Sequence, residues 1–190
     1  MTSFALFETA IGACGIVWGE GGIVGMQLPE PRDEQACARL AKRYPGVVEA
    51  SPTAEIERTI SEVRALLEGE ARDLAHIPLD MSQVPEFERQ VYAIARAVPP
   101  GRTITYGEIA VKLGDKALSR DVGAALGRNP FPIVVPCHRV LGAGGKTGGF
   151  SARGGVDTKM RMLQIEGARI SNEPLLFDAL PMSAKKDRRG

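Results

Sequence analysis

The chain carries an apolar run at Phe131–Pro132–Ile133–Val134–Val135 and leaves it through Pro136–Cys137–His138–Arg139–Val140. Bounded by Asn129–Pro130 and by Pro136, the run reads as a strand that must lie in a core. It delivers one of three cysteines and one of two histidines to a single point in the fold. A thiol is nucleophilic only as the thiolate, so a cysteine beside a base or a positive charge is a candidate activated nucleophile. Adjacent side chains on an extended strand point to opposite faces, so His138 would reach the Cys137 sulfur only through a kink or a bridging water. A buried, inert cysteine fits the same five residues.

The rest of the chain divides at the change of charge sign. Residues 1–76 carry net −5 and residues 77–171 net +5, although the whole chain is only +1. An acidic half joined to a basic half suits a polyanion-binding module, and it suits two ordinary solvated surfaces as well. The expected organisation is an N-terminal α/β domain (1–76), a C-terminal domain (77–171) and a solvated tail (172–190).

In the first half, Phe4–Ala10, Cys14–Trp18 and Ile23–Leu28 form a meander with turns at Gly12 and Gly19–Gly22. Helices are expected over Ala36–Tyr44 and Pro52–Glu68, the second capped by Ser51 and showing Ile56, Ile60, Val63 and Leu67 on one face. In the second half, a helix with the stripe Phe87, Val91, Ile94 and Val98 ends at Pro99–Pro100–Gly101. Thr105 and Glu108 form a capping box for a short helix that stops at Gly114. Ser119 caps another, Arg120–Arg128, closed by Asn129–Pro130. Two short helices with a tight connection have the proportions of a helix-turn-helix or of an ordinary helical hairpin. Gly123, Ala124, Ala125 and Gly127 give the second helix a small face that permits close approach.

Composition removes several classes. An apolar fraction of 44% with 25% charged residues is that of a globular protein. No apolar stretch nears the ~20 residues of a membrane span. Met1–Ala10 lacks a basic region ahead of an apolar run, so no secretory signal is expected. An odd number of cysteines without spaced pairs argues for a reducing cytoplasm. Cys14, Cys37 and His76 lack metal-ligand spacing, so no metal is expected. Gly142–Gly149 precedes no capped helix with a lysine, so no nucleotide cofactor is expected.

Pro136–Cys137–His138–Arg139–Val140, together with Asn129–Pro130, Thr105–Tyr106, Arg120 and Glu166–Gly167, resembles the O6-alkylguanine-DNA alkyltransferases, the methylated-DNA–protein-cysteine methyltransferases. The resemblance spans about residues 4–170 and is dense from 85 to 168. It implies a mixed α/β fold: a small ribonuclease-H-like meander-and-helix domain, then a helical, winged-helix-like domain. It implies irreversible, single-turnover transfer of an alkyl group from O6-alkylguanine, and O4-alkylthymine, in double-stranded DNA to Cys137, with no cofactor and as a monomer. His138 would be a general base acting through water, and Glu166 would orient its imidazole. Asn129 would tie the recognition helix to the active-site segment, and Tyr106 would donate to guanine N3 as the base leaves.

The same resemblance implies base flipping through the minor groove with little sequence preference. Arg120 would fill the vacated stack, and Thr105, Tyr106, Ser119, Gly123, Ala124 and Arg128 would lie along the DNA. Val140, Phe150, Ser151 and Pro132 would line the substrate pocket. Phe150 replaces a tyrosine of many members, and the turn Ser151–Val156, with Ala152 and Arg153, is longer than the family's short Ser-Gly-Gly turn. A lesion-binding protein of the same fold would lack the reactive cysteine. A thiol hydrolase would have no use for Arg120 or the basic half.

Overall fold

The computed structural model describes residues 2–147 and 155–168. Three strands, β1 (Ser3–Phe7), β2 (Cys14–Gly19) and β3 (Gly22–Gln27), form the expected antiparallel meander. A short β4 (Val48–Glu49) adds parallel to β1, giving the order β3-β2-β1-β4. Alternation decides what each face receives. Phe4 and Val17 point to one side, where they pack with Leu40 of α1 (Asp33–Arg43). Gly15 keeps that side thin, because a Cβ there would lie 3.0 Å from Leu40 Cδ1. Ala5, Phe7, Cys14, Ile16 and Trp18 point to the other side, into a core with Ile56, Ile60, Val63, Leu66 and Leu67 of α2 (Ala54–Leu67). Helix α2 starts two residues later than expected. Thr53, not Ser51, is its cap, with Oγ1 accepting from Ile56 N at 3.4 Å.

In the second half α3 (Glu86–Arg96) leads through β5 (Ile104–Thr105) into α4 (Tyr106–Lys112), which opens with the predicted Thr105–Glu108 capping box. A turn of 3₁₀ helix at Lys116–Leu118 runs straight into α5 (Ser119–Gly127). Ser119 is therefore not a cap. Its Oγ donates to Lys116 O at 2.7 Å, and the capping task falls to Asp115, whose Oδ1 accepts from Ala117 N. β6 (Val140–Leu141) pairs parallel to β5, and α6 (Gly155–Ile165) closes the described part of the chain.

The apolar run at 131–135 is buried as expected apart from the half-buried Pro132, but it is not a strand. Val135 N donates to Phe131 O at 2.8 Å, and Ile133 adopts a φ of 77°. Pro132 has no N–H for a ladder. Asn129 supplies the alternative: its Oδ1 accepts from Phe131 N and its Nδ2 donates to Val135 O, both at 2.9 Å. A β-branched residue in the left-handed region costs about 1–3 kcal/mol, so the turn is held there by its surroundings.

The two halves share one apolar core that runs from Ala5 and Trp18 through Val91 and Phe131 to Met162. Backbone bonds also cross between them. Met26 N donates to Pro130 O at 2.8 Å, Ile23 N to Pro78 O at 3.2 Å, and Asp80 N to Ile23 O at 2.8 Å. Arg96 Nη2 reaches Ala75 O and Ile77 O, at 2.7 and 2.8 Å, and so holds the connecting segment against α3.

Candidate active site

The Asn129-braced turn ends in a second, tighter one. Pro136 sits at φ −79°, ψ 65°, and Cys137 N donates back to Val135 O at 2.8 Å, an inverse γ-turn. Cys137–His138–Arg139 then form one turn of 3₁₀ helix. This is the kink that an extended strand could not provide. All three side chains are buried.

His138 and Arg139 converge on Glu166. His138 Nε2–H donates to Glu166 Oε1 at 2.8 Å. Arg139 grips both carboxylate oxygens, Nε to Oε2 at 2.9 Å and Nη2 to Oε1 at 2.8 Å, while its Nη1 donates to Val98 O at 2.6 Å. Glu166 stands at the end of α6, where Ala168 N bonds Leu163 O and Gly167 N bonds Gln164 O, with Gly167 at φ 66°. That is a Schellman motif with glycine at its left-handed position, and it fixes Glu166 as the last helical cap. A carboxylate at a helix C-terminus opposes the helix dipole, so the Arg139 guanidinium and the His138 N–H must compensate it.

They do more than compensate. Burial alone would raise the Glu166 pKa, yet hydrogen bonds from His138 and Arg139 and the charges behind them hold it down at about 2. Burial pushes His138 the other way, below its ordinary value, against the pull of Glu166. At neutral pH the pair is thus an ionised carboxylate accepting from a neutral imidazole. With the Nε2 proton committed to Glu166, the ring's acceptor is Nδ1, which is buried and makes no protein hydrogen bond among the described residues.

Burial also pushes the Cys137 thiol up, opposed by a hydrogen bond from Asn129 and by the charge of Lys159. The resting sulfur is therefore protonated, and a base has to collect its proton. Lys159 on α6 is fully buried, with Nζ donating to Val140 O at 2.6 Å and lying 5.9 Å from the Tyr106 ring centroid. Tyr106, at the start of α4, is half-buried; burial and the nearby sulfur raise its pKa, so its hydroxyl keeps a proton to donate.

Cys137, His138, Glu166 and Asn129 are brought together, with Tyr106 beside them. Sequence reasoning missed two members of the cluster. Arg139 stood in the motif without a role, although an arginine inside an apolar segment signals a buried partner. Lys159 lies on the α6 face of Met162 and Leu163, at i, i+3 and i+4, where a charge interrupts the apolar stripe.

Among the residues expected along DNA, Arg120 and Ala124 are exposed on α5 and Ser119 is half-buried at its start. Thr105 is occupied by the capping box. Gly123 faces the Tyr106 ring, whose nearest carbons lie 3.9 Å from where a Cβ would stand. Arg128 is engaged in an ion pair with Glu88 at 2.6 Å. Val140 is buried and Pro132 half-buried. Phe150, Ser151, Ala152 and Arg153 lie outside the described residues. Among the described residues no group of three His, Cys, Asp or Glu side chains could hold a metal ion, and no helix is long and apolar enough to cross a membrane.

Known proteins share both the sequence and the shape. A family model described as 6-O-methylguanine DNA methyltransferase, DNA binding domain, matches residues 86–168. The methylated-DNA–protein-cysteine methyltransferase of Methanothermobacter thermautotrophicus is 34% identical over 159 residues, covering 84% of this chain and 82% of that protein. The Mycolicibacterium paratuberculosis protein of the same name is 40% identical over 119 residues, 63% of this chain and 70% of the relative. Among solved structures, Mycobacterium tuberculosis OGT in complex with DNA superposes with a TM-score of 0.69 at 27% identity, covering 86% of this chain and 92% of that one. The O6-methylguanine-DNA methyltransferase of Pyrococcus kodakaraensis gives 0.65 at 29% identity, over 88% and 100%. A likeness that extends through both halves, and not only through the stretch around Cys137, makes this chain a member of the methylated-DNA–protein-cysteine methyltransferase family.

Proposed function

We propose that the protein repairs DNA by taking the alkyl group of O6-alkylguanine, and of O4-alkylthymine, onto Cys137 in one irreversible turnover. The observation that carries this reading is the buried thiol beside a neutral imidazole whose only uncommitted nitrogen is Nδ1. Nδ1 takes the thiol proton through one water, and Glu166, clamped by Arg139, stabilises the imidazolium that forms. The thiolate attacks the methyl carbon in line, the C–O6 bond breaks, and its electron pair stays on the base. Tyr106 donates toward N3 as that charge develops. A proton reaches the released guanine, so the overall change exchanges the thiol hydrogen for the methyl group. Asn129 holds the turn that presents the sulfur.

A target inside a duplex must first leave the stack, at a cost of a few kcal/mol. Arg120, exposed on α5, fills the gap, while the small face of Gly123 and Ala124 lets α5 approach the minor groove. Thr105, Ser119 and, once released from Glu88, Arg128 contact the backbone. Val140 and Pro132 line the base pocket. Residues 77–171 thus hold the chemistry, residues 1–76 support it, and the protein works as a monomer in the cytoplasm, where thiols stay reduced.

The test is incubation with a duplex holding one O6-methylguanine, followed by mass analysis of the peptide that contains Cys137. One added methyl per protein is the expected result, and Cys137→Ala binds the duplex without acquiring it. Binding without an adduct would reduce the protein to a lesion binder; repeated ester turnover would make it a hydrolase.

A further inference from the structure

The turn after α3 touches the proton relay at two points. Val98 O accepts from Arg139 Nη1 at 2.6 Å, and Gly101 N donates to Glu166 Oε2 at 3.4 Å. Arg102 N closes the turn onto Pro99 O at 3.1 Å, with Gly101 at φ 76°. A glycine at the third position of such a turn is explained by its backbone angle. A second constraint is independent of that angle: a Cβ on Gly101 would stand 2.9 Å from the backbone oxygen of Glu166. Backbone cannot swing aside as a side-chain tip can. The turn therefore holds Glu166 by its side chain through the amide and by its main chain through contact.

We propose that Gly101 is a positioning residue for the relay, setting the orientation of the Glu166 carboxylate and thereby the tautomer of His138. The inference rests on the transfer reaction proposed above. Its chemistry follows from the geometry of one carboxylate. Oε1 receives His138 and Arg139 Nη2, while Oε2 receives Arg139 Nε and Gly101. Displacing the Glu166 backbone turns Oε1 away from Nε2. The Nε2 proton is then no longer fixed, Nδ1 is protonated part of the time, and a protonated Nδ1 cannot accept from Cys137. The groups facing Cys137 and His138 are Lys159 and Glu166 near α6, Tyr106 on α4, Tyr92 on α3 and Arg139; of these the turn touches Arg139, through Val98 O, and Glu166, through Gly101.

The test uses Gly101→Ala with Gly46→Ala as its control. Gly46 has a similar φ of 81°, but nothing lies within 4 Å of its Cβ position. The chain has only two histidines, so the imidazole ¹⁵N spectrum shows His138 with the exposed His76 as an internal reference. Gly101→Ala should replace the single Nε2–H tautomer of His138 by a mixture and leave His76 unchanged. Its methyl stoichiometry should stay near that of the wild type. Its single-turnover rate should fall about tenfold at pH 7, with the deficit narrowing as rising pH ionises the thiol unaided. Gly46→Ala should show none of this. An unchanged His138 tautomer, or a rate lowered equally at every pH, would overturn the proposal. Should Gly101→Ala not fold, the Gly101 amide proton is read in Glu166→Gln instead. It should move upfield relative to the wild type, and a resonance that stays in place would count equally against the idea. A wild-type protein that accepts no methyl refutes the transfer reaction; its His138 spectrum still reports on Gly101.

Discussion

Replacing Glu166 by glutamine keeps the shape of the clamp and removes its charge, and the consequence for stability can be worked out. The carboxyl titrates at about 2 in the folded protein, against 4.5 ordinarily. That difference corresponds to roughly 3 kcal/mol. Above pH 4.5 the carboxyl is ionised in both states, so the full contribution is present. Below that, the unfolded chain takes up a proton that the folded chain refuses, and the contribution falls as the pH drops toward 2. Roughly 1 kcal/mol of it remains at pH 3. Glutamine has nothing to titrate, so the stability gap between the wild type and Glu166→Gln should shrink by about 2 kcal/mol between pH 7 and pH 3. Urea unfolding at pH 7, 5, 4 and 3 measures that gap directly. A gap that stays constant over this range would falsify the assignment of the low pKa to the His138–Arg139 clamp.

Arg139→Lys should destabilise by about 2–4 kcal/mol, because an ammonium cannot grip both oxygens of Glu166 and reach Val98 O as well; thermal unfolding checks this, and an unchanged midpoint would deny the clamp its structural part. Arg120→Ala should slow repair of duplex DNA about tenfold or more while sparing reaction with free O6-methylguanine base. Equal losses on both substrates would contradict the stack-filling role. Raising salt from 50 to 200 mM should slow the wild-type reaction on duplex and leave the free-base reaction nearly unchanged, as phosphate contacts require; single-turnover rates on the two substrates decide it.

Those elements whose pattern is local were legible in the chain. The meander followed from alternation and glycine turns, α2 from its stripe, and α4 from a capping box that the structure reproduces. The 131–135 segment misled because composition gives burial and not shape. Its β-branched residues favour a strand, but Pro132 withholds a donor and the Asn129 amide offers the backbone a different set of partners. Ser119 misled for a related reason, since a preceding 3₁₀ turn removes the helix start that it would have capped. At the site, Cys137, His138 and Glu166 were visible through the family motif. Arg139's grip on Glu166 was not, because it joins positions 27 apart in the chain, and no local period reports such a contact. The short parallel strands β4, β5 and β6 escaped notice because two residues are too few to show alternation.

The bonds that join the two halves along β3 also bear on solubility. β3 is an edge of its sheet, and an uncovered edge is a template on which a second chain can add a strand. Here the Ile23 N–H and C=O and the Met26 N–H are taken by Pro78, Asp80 and Pro130. The segment that leads to Cys137 is thus also the cover of this edge. Anything that springs the Asn129 turn, whether a truncation, a destabilising substitution or heat, uncovers the Met26 amide in the same event that loses the site. Loss of activity and self-association are then two readings of one opening, with light scattering rising as the capacity to accept a methyl falls.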